Sequence, residues 1–528
     1  MSKERPMKVS RREFVKGAAL GAGALAGAGA LAGCGTGAGP APSGNIPQNW
    51  DKEADVVVVG FGGAGAAAAI EAADAGASVI LLEKLPVPGG NSVISSGSFA
   101  APGSPVQKAE GIEDSPEKMY EYWMSAGMGV TDPELTRTIC ENCLEAWEWL
   151  TNLTGLPPEE LWGDLGFTAS PFVAEEDVLR RTHRGLLEGN AGAWEFATVE
   201  AAVGERDAIE VMLETRASAL IVDGEGQVVG VEVEAGDGEK KNFKATRAVV
   251  LTSGDFSRND EMAKAFSMET LYALKKTAPG STGDGIAMAQ KIGAALSCME
   301  GTMGGLVSVN PAAPGGVPKG KHILVNTQGA RYVNEGAQYA EAELNNYWIA
   351  YNTFRQNDHK GFAIMDEAVG KDGGSALVSG FSDDLAEEIE KGYIVKADTI
   401  EELATACGMA PAIVRETIDI WNEDVAAGVD RLFGRTTGMR GATMLPIDQP
   451  PFYAAEVMGS TITTHGGVKT NGKAQVINVA GQVIQRLYAA GSTVGGFIGP
   501  FYQHSGGGIA QAYTMGRIAG QNAAAEEA

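Results

Sequence analysis

Histidine and cysteine are both scarce in this chain of 528 residues, with five of each. The histidines (His183, His322, His359, His465 and His504) are scattered, and no His/Cys/Asp grouping has the spacing of a zinc site. Cys140-Glu141-Asn142-Cys143 lies in a helical pattern from Leu135 to Leu150 with no histidine after it, which excludes covalent c-type haem attachment at this pair. Two thiols one turn apart on a helix read first as packed side chains. Positive charge is also in deficit, 41 basic against 67 acidic residues. Such a surface repels nucleic acid and anionic lipid and suits a basic docking partner. Long apolar runs are missing: the Ala- and Gly-rich stretch 17–33 is too short and glycine-rich to span a membrane comfortably. No internal repeat is visible. At 44% hydrophobic, the chain can still bury a large core and should hold two domains.

The N-terminus reads as an address. Ser10-Arg11-Arg12-Glu13-Phe14-Val15-Lys16 is a twin-arginine pattern, and Leu31-Ala32-Gly33-Cys34 resembles a lipobox. Residues 1–33 are therefore expected to be an export signal. Cys34 then becomes a lipidated N-terminus, the only membrane attachment expected, and 34–49 a flexible Gly/Pro/Ser-rich linker. The expected location is extracytoplasmic, anchored to the cell membrane. Residues 1–33 carry six basic and two acidic side chains, so their removal makes the chain more acidic still.

Glycine is abundant, 72 residues, and one cluster is placed with purpose. The apolar run Asp55–Val59 leads into Gly60-Phe61-Gly62-Gly63-Ala64-Gly65, and Ser78–Leu82 then delivers Glu83, 23 residues after Gly60. A buried strand, a turn that only glycine fits, and a helix with its N–H groups aimed at a pyrophosphate make a dinucleotide site, with the acid reaching a ribose hydroxyl pair. Twin-arginine export carries folded, cofactor-loaded proteins, which agrees.

Small-residue segments recur downstream wherever such a cofactor needs close backbone approach. Lys84, Gly89-Gly90-Asn91-Ser92 and Ser96-Gly97 follow the acid. Arg216–Ala219 opens a hairpin pattern that turns at Asp223–Gln227. The strand Ala248–Leu251 ends in Thr252-Ser253-Gly254, Asn259 follows, and Gly283-Asp284 precedes a helix. Leu487–Ala490 ends at Gly491-Ser492, and Gly506-Gly507-Gly508-Ile509 opens the last helix, whose N-terminus suits an electron-rich reduced flavin.

That order resembles the flavoprotein family of fumarate reductases, soluble flavocytochrome c-type reductases and 3-ketosteroid dehydrogenases, from about residue 50 to the C-terminus. The resemblance implies an α/β fold: a Rossmann-like FAD-binding domain (50–296 and 461–528) with an inserted α+β capping domain (297–460). It implies FAD as cofactor, held by the segments just named, including Ala219, Asn259, Gly508 and Ile509. Substrate would lie between flavin and cap.

In the fumarate-type branch a cap segment Asn-Glu-x-x-x-Arg supplies a proton-donating arginine. Here Asn334-Glu335 is followed by Tyr339 at that place. The branch's second arginine, before the last helix, clamps a substrate carboxylate, but Phe501–Gly508 contains none. The branch's paired histidines become Ile462-Thr463, and its Met becomes His465. Guanidinium pairing is the efficient way to hold a dicarboxylate, so these changes argue against fumarate. The same positions resemble the ketosteroid dehydrogenase branch, with Tyr339 in the cap and Tyr502 four residues before Gly506. The chain departs from that branch at Gln503, His504 and Ser505. Its third tyrosine has only Tyr120 and Tyr122 as candidates, by nearness in the chain.

The expected chemistry is reduction of an α,β-unsaturated carbonyl compound, apolar, aromatic or steroid-like. Tyr502 O–H and Gly506 N–H polarise the carbonyl, flavin N5 gives hydride to the β-carbon, and Tyr339 protonates the α-carbon. His465 and His504 flank this site and either bond substrate or order their loops; Glu335 is expected to order the Tyr339 loop. Tyr347 and Trp348 fit either an apolar pocket or an amphipathic cap helix. Electrons must come from a separate donor: a cytochrome, a flavoprotein or a quinone-linked membrane protein. Three alternatives stay open: the desaturating direction, a carboxylate reductase that recruits Arg180, Arg181 or Arg184, and a non-catalytic flavin relay.

Overall fold

The computed structural model describes residues 46–166, 179–186, 191–236, 238–308, 322–335, 347–368, 385–435, 444–499, 502 and 504–528. The expected export signal, Cys34, most of the linker and Tyr339 lie outside these residues.

Strand β1 (Lys52–Val59) carries the run Val56–Val59, buried on both faces as an interior parallel strand requires. Gly60–Gly62 turn the chain into helix α1 (Gly63–Asp74), and β2 (Val79–Leu82) returns in parallel, with Val56 opposite Val79. A short helix α2 (Gly90–Val93) and β3 (Ser98–Ala100) follow. Next come α3 (Pro116–Ala126) and α4 (Pro133–Thr154), each started by a capping side chain, Ser115 or Asp132, with proline in the first turn. Cys140 and Cys143 are buried on α4, and burial pushes both thiols up, Cys143 to about 12. They are packing residues, not nucleophiles. Strands β4 (Trp162–Gly166) and β5 (Thr182–Gly185) join β3 in a small antiparallel sheet ordered β3-β5-β4.

Helix α5 (Ala191–Gly204) leads to β6 (Ile209–Met212), then to the hairpin β7 (Thr215–Val222) and β8 (Val228–Ala235), then to β9 (Lys240–Leu251). The second sheet takes β10 (Leu274–Lys275) and, after helix α6 (Asp284–Lys291), strands β11 (Leu306–Ser308), β12 (Ile323–Asn326), β13 (Lys360–Asp366) and β14 (Ile394–Ala397). Helix α7 (Pro411–Ala427) precedes its long strand β15 (Phe452–Thr461). The order is β10-β15-β13-β12, with β11 and β14 also paired to β15. Leu274 lies opposite Ser460, so the pairing reaches back across the boundary drawn at 296. Trp421, Ile418 and Val414 of α7 pack on Ile323, Val325 and Ile364.

The chain then returns to the first sheet through β16 (Gln475–Ile477) and β17 (Val483–Ala489), giving β16-β17-β9-β1-β2-β6 with the hairpin attached to β9. The last helix, α8 (Gly507–Ala525), lies against α1. A Cβ at Gly520 would stand 2.2 Å from Ala68 O, so glycine sets the approach of the two helices. Among the described residues no helix is long and apolar enough to cross a membrane.

Arg331 is buried in the second sheet's layer between two carboxylates. Its Nη2 lies 2.6 Å from Glu335 Oε2 and 2.9 Å from Asp430 Oδ2. Glu335 also accepts from Leu324 N–H at 2.8 Å and faces Arg435 at 3.4 Å. Glu335 is thus a buried knot in the segment that leads to Tyr339. Tyr347 and Trp348 begin a helix at Tyr347–Phe354, whose first side chains are not among those described.

Candidate active site

At the C-terminal ends of β1, β2 and β9 the sheet opens into a cavity. Its wall includes Gly60, Gly62, Gly63 and Ala64, then Glu83 and Lys84, then Gly90, Asn91 and Ser92. Thr252, Ser253, Gly254, Asp284, Gly491 and Ser492 complete the portion expected from sequence.

The glycines differ in what holds them. A Cβ at Gly65 would sit 1.9 Å from Gly60 O, and one at Gly60 2.5 Å from Thr252 O, so both are required by the fold. A Cβ at Gly62 would meet nothing nearer than Gly89 O at 3.7 Å, yet this residue stands on the cavity wall. Its bareness answers to something in the cavity. Gly63 and Ala64, in the first turn of α1, also line it, and Gly63 N–H donates to Ser92 Oγ at 3.0 Å. Glu83 accepts from Phe61 N–H at 3.1 Å and Leu85 N–H at 2.9 Å, which fixes its carboxylate at the strand end. A diphosphate over glycine backbone and a ribose against a held carboxylate fit this donor set.

Asn91 ties the wall together. Its Nδ2 donates to Asp255 Oδ2 at 2.7 Å and to Ile462 O at 3.2 Å, and its Oδ1 accepts from Ala278 N–H at 2.7 Å. Asp255 is fully buried, also takes Thr463 Oγ1 at 3.1 Å, and is pushed up by burial. Lys84 Nζ lies 2.9 Å from Asp284, which Arg216 also grips through two nitrogens, and these partners hold the Asp284 carboxyl below the usual range against the cost of burial.

Other expected contacts stand beside the wall. Gly89, at φ +115°, bridges Gly62 and starts α2. Ser96 faces Ser98, and Gly97 presses on the start of α5. Asn259 caps the helix Asp260–Phe266 and holds Thr282 O at 3.0 Å, so both ends of its amide are engaged in local structure. Gly283 starts α6. Ala219 is displaced by a bulge between Ala217 and Ala219, and Ala217 lines the cavity instead. Arg216, in the segment expected to approach the cofactor, is on the wall; sequence reading did not single out Thr215, Ala278, Gly280, Ser281 and Ala512. The Pro279-Gly280 turn was the available sign for one of these groups.

Beyond the cavity, Tyr502 sits at the N-terminus of α8. Its buried hydroxyl accepts from Gly508 N–H at 2.8 Å, and burial pushes its pKa up to about 12. The hydroxyl therefore keeps its proton at any working pH. Gly506 takes φ +81°, and a Cβ there would lie 2.7 Å from Ala100 N. Ile509 follows, half-buried, in the first turn. Two imidazoles bracket this segment. His465 Nδ1 lies 2.9 Å from Gly499 O and His504 Nδ1 2.7 Å from Ser505 O. A carbonyl only accepts, so each Nδ1 carries the hydrogen and each Nε2 is a bare acceptor. Neither Nε2 has a partner, and burial lowers the two rings to about 4 and about 3. Both are neutral. Tyr122 meets His504 edge to face at 5.8 Å, whereas Tyr120 lies under Arg137.

The three candidate arginines have separate fates. Arg181 is fully buried and grips Asp114 through Nε and Nη2, both at 2.9 Å. Arg180 pairs with Glu110 at 2.6 Å, and Arg184 is exposed on β5. Among described residues no group of three or more His, Cys, Asp or Glu is arranged to hold a metal. Glu195, on α5, is buried with neither carboxylate oxygen hydrogen-bonded, which pushes it up to about 8. Tyr513, beside it, is also raised.

A parallel core of strands with a glycine turn, a held acid and a cavity at the strand ends defines a dinucleotide-binding protein. The FAD binding domain family model matches residues 55–509, and the chain belongs to this family, with FAD as its cofactor. It is similar to the urocanate reductase of Eggerthella lenta, 32% identical over 500 residues that cover 91% of this chain and 76% of that protein. The NADH:fumarate oxidoreductase of Klebsiella pneumoniae is 31% identical over 482 residues, covering 90% of this chain but 48% of that protein, so the chain spans about half its length. Among solved structures, the 3-ketosteroid-Δ4-(5α)-dehydrogenase of Rhodococcus jostii RHA1 aligns with TM-score 0.73 at 28% identity, covering 91% of this chain and 99% of that one. The cofactor, the α/β frame and an enzyme acting on C=C or CH–CH bonds agree with the expectations from sequence.

Proposed function

We propose that this flavoprotein is an exported ene-reductase that saturates the C=C bond of an enone or enoate, apolar, aromatic or steroid-like. Tyr502 carries the reading. A buried hydroxyl that accepts from Gly508 N–H, at a helix N-terminus, stands where the fumarate-type pattern has a carboxylate-clamping arginine. Gly62 and Gly63 would lie against the cofactor's diphosphate and Glu83 against its ribose. The chemistry that FAD supplies when bound is hydride transfer at flavin N5.

Tyr502 donates its hydrogen to the substrate carbonyl, and Gly506 N–H adds a second donor. Enolate charge on that oxygen then develops at the positive end of α8, where fixed dipoles need no reorganisation. Tyr339 delivers a proton to the α-carbon, and the buried Arg331–Glu335–Asp430 knot sets the start of its segment. The relatives named above reduce urocanate or fumarate, or dehydrogenate a steroid, which supports C=C chemistry without choosing a substrate. The absence of an arginine at the two family positions favours a substrate without two carboxylates. Reduction is favoured over desaturation because no NAD(P)H pool exists outside the cell and a separate donor, docked on the acidic surface, can supply electrons.

Tyr502→Phe should lower kcat by about 10² to 10³ with FAD content unchanged, and Tyr339→Phe should lower it with FAD content also unchanged. Full turnover by a flavin-loaded Tyr339→Phe enzyme would remove the proton-donor role.

A further inference from the structure

Two buried side chains that pack on one aromatic ring each carry a polar atom without a partner, and the two atoms are of opposite sense. His504 Nε2 is an acceptor, because Nδ1–H is committed to Ser505 O at 2.7 Å. Arg181 Nη1 is a donor, left over after Nε and Nη2 engage Asp114. The Tyr122 ring touches both, with Arg181 Cζ 5.3 Å from its centroid and the His504 ring centroid 5.8 Å away. Thr182, next to Arg181 in the chain, brings its hydroxyl to 3.4 Å from His504 Nδ1. Each orphan atom destabilises the fold if nothing meets it. His504 is two residues from Tyr502 and two from Gly506, so the pair adjoins the polarising groups.

We infer that His504 and Arg181 form a subsite for a hydroxyl group on the substrate, which donates to His504 Nε2 and accepts from Arg181 Nη1–H. A hydroxyl carries both the donor that His504 Nε2 lacks and the acceptor that Arg181 Nη1 lacks. A carboxylate can use only Arg181, whose charge Asp114 already neutralises, and it meets the lone pair of a neutral imidazole. An ether offers no donor. The inference rests on the ene-reductase reading and narrows its substrate class to hydroxyl-bearing enones or enoates.

The test is binding to the oxidised, FAD-loaded enzyme, followed by calorimetry. The probes are para-hydroxyphenyl butanone and its methyl ether, saturated analogues of a product that differ only in the hydroxyl. The hydroxyl compound should bind about tenfold tighter or more. His504→Phe should bring the two within about threefold of each other, and His504→Gln, which restores an acceptor, should recover part of the preference. Equal binding by the unaltered enzyme, as expected if ordered water fills the subsite, would overturn the inference. So would a preference that survives His504→Phe. Turnover is a separate readout: an enzyme that prefers the hydroxyl compound but transfers no electrons to any enone keeps the subsite and loses the ene-reductase.

Discussion

Gly62 and Gly65 are three residues apart and serve different masters. Gly65 is held by protein backbone, since any Cβ there collides with Gly60 O. Gly62 is held only by what the cavity receives. Gly65→Ala should therefore lower the melting temperature of the apoprotein as well as flavin content. Gly62→Ala should leave the apoprotein's melting temperature within about 2 °C, roughly a 0.5 kcal/mol surface change, and still emerge from purification with little bound flavin. Absorbance at the flavin band together with a thermal melt checks both. At this scale the fingerprint was legible because a glycine turn has few other uses between a buried strand and a helix. Asn259 was not, because a helix-capping asparagine and a ligand-binding one look the same in sequence. Asp255 carries no local mark of its role, yet burial makes it the node through which Asn91 and Thr463 meet.

The hairpin β7–β8, the long helix α4 and the strand entering Gly491 follow directly from apolar periodicity and turn residues, and each appears where that pattern put it. The bulge in β7 does not show in sequence, since nothing local marks which residue is extra, and it moves the wall contact from Ala219 to Ala217. The knot of Arg331, Glu335, Asp430 and Arg435 is equally hidden, because about a hundred residues separate its halves. Removing one member leaves a buried charge unpaired, which costs about 3–5 kcal/mol. Glu335→Gln is expected to lower the melting temperature clearly and to slow turnover, while flavin stays bound in the native fraction. A variant that melts like the parent would show that the knot contributes little to holding this layer.

Across the whole molecule, buried titratable groups set opposing slopes of stability with pH. His183, His465 and His504 are lowered in the fold, to about 4, 4 and 3, from an ordinary 6.5. The unfolded chain binds their protons first, so stability falls as pH drops below 6.5. Glu195 is raised to about 8 from 4.5, and burial raises Asp255 too. Glu195 keeps its proton in the fold after the unfolded chain has lost it, so stability falls as pH rises from 4.5 to 8, by about 1.4 kcal/mol per pH unit. Three groups outweigh this below pH 6.5 and none of them does above it. The melting temperature should therefore peak near pH 6.5, and Glu195→Gln should flatten the decline between pH 6.5 and 8. A wild-type profile that rises through pH 8 would contradict the assignment.

The frame at this scale was readable from the order of distant segments, whereas the choice of reaction rests on a few side chains around α8. Chemical reduction of the FAD-loaded enzyme without oxygen, followed by mixing with either an aryl enone or fumarate, compares the two readings through the return of oxidised flavin absorbance. The account predicts rapid reoxidation by the enone and little or none by fumarate. Rapid reoxidation by fumarate, with the enone inert, would contradict it.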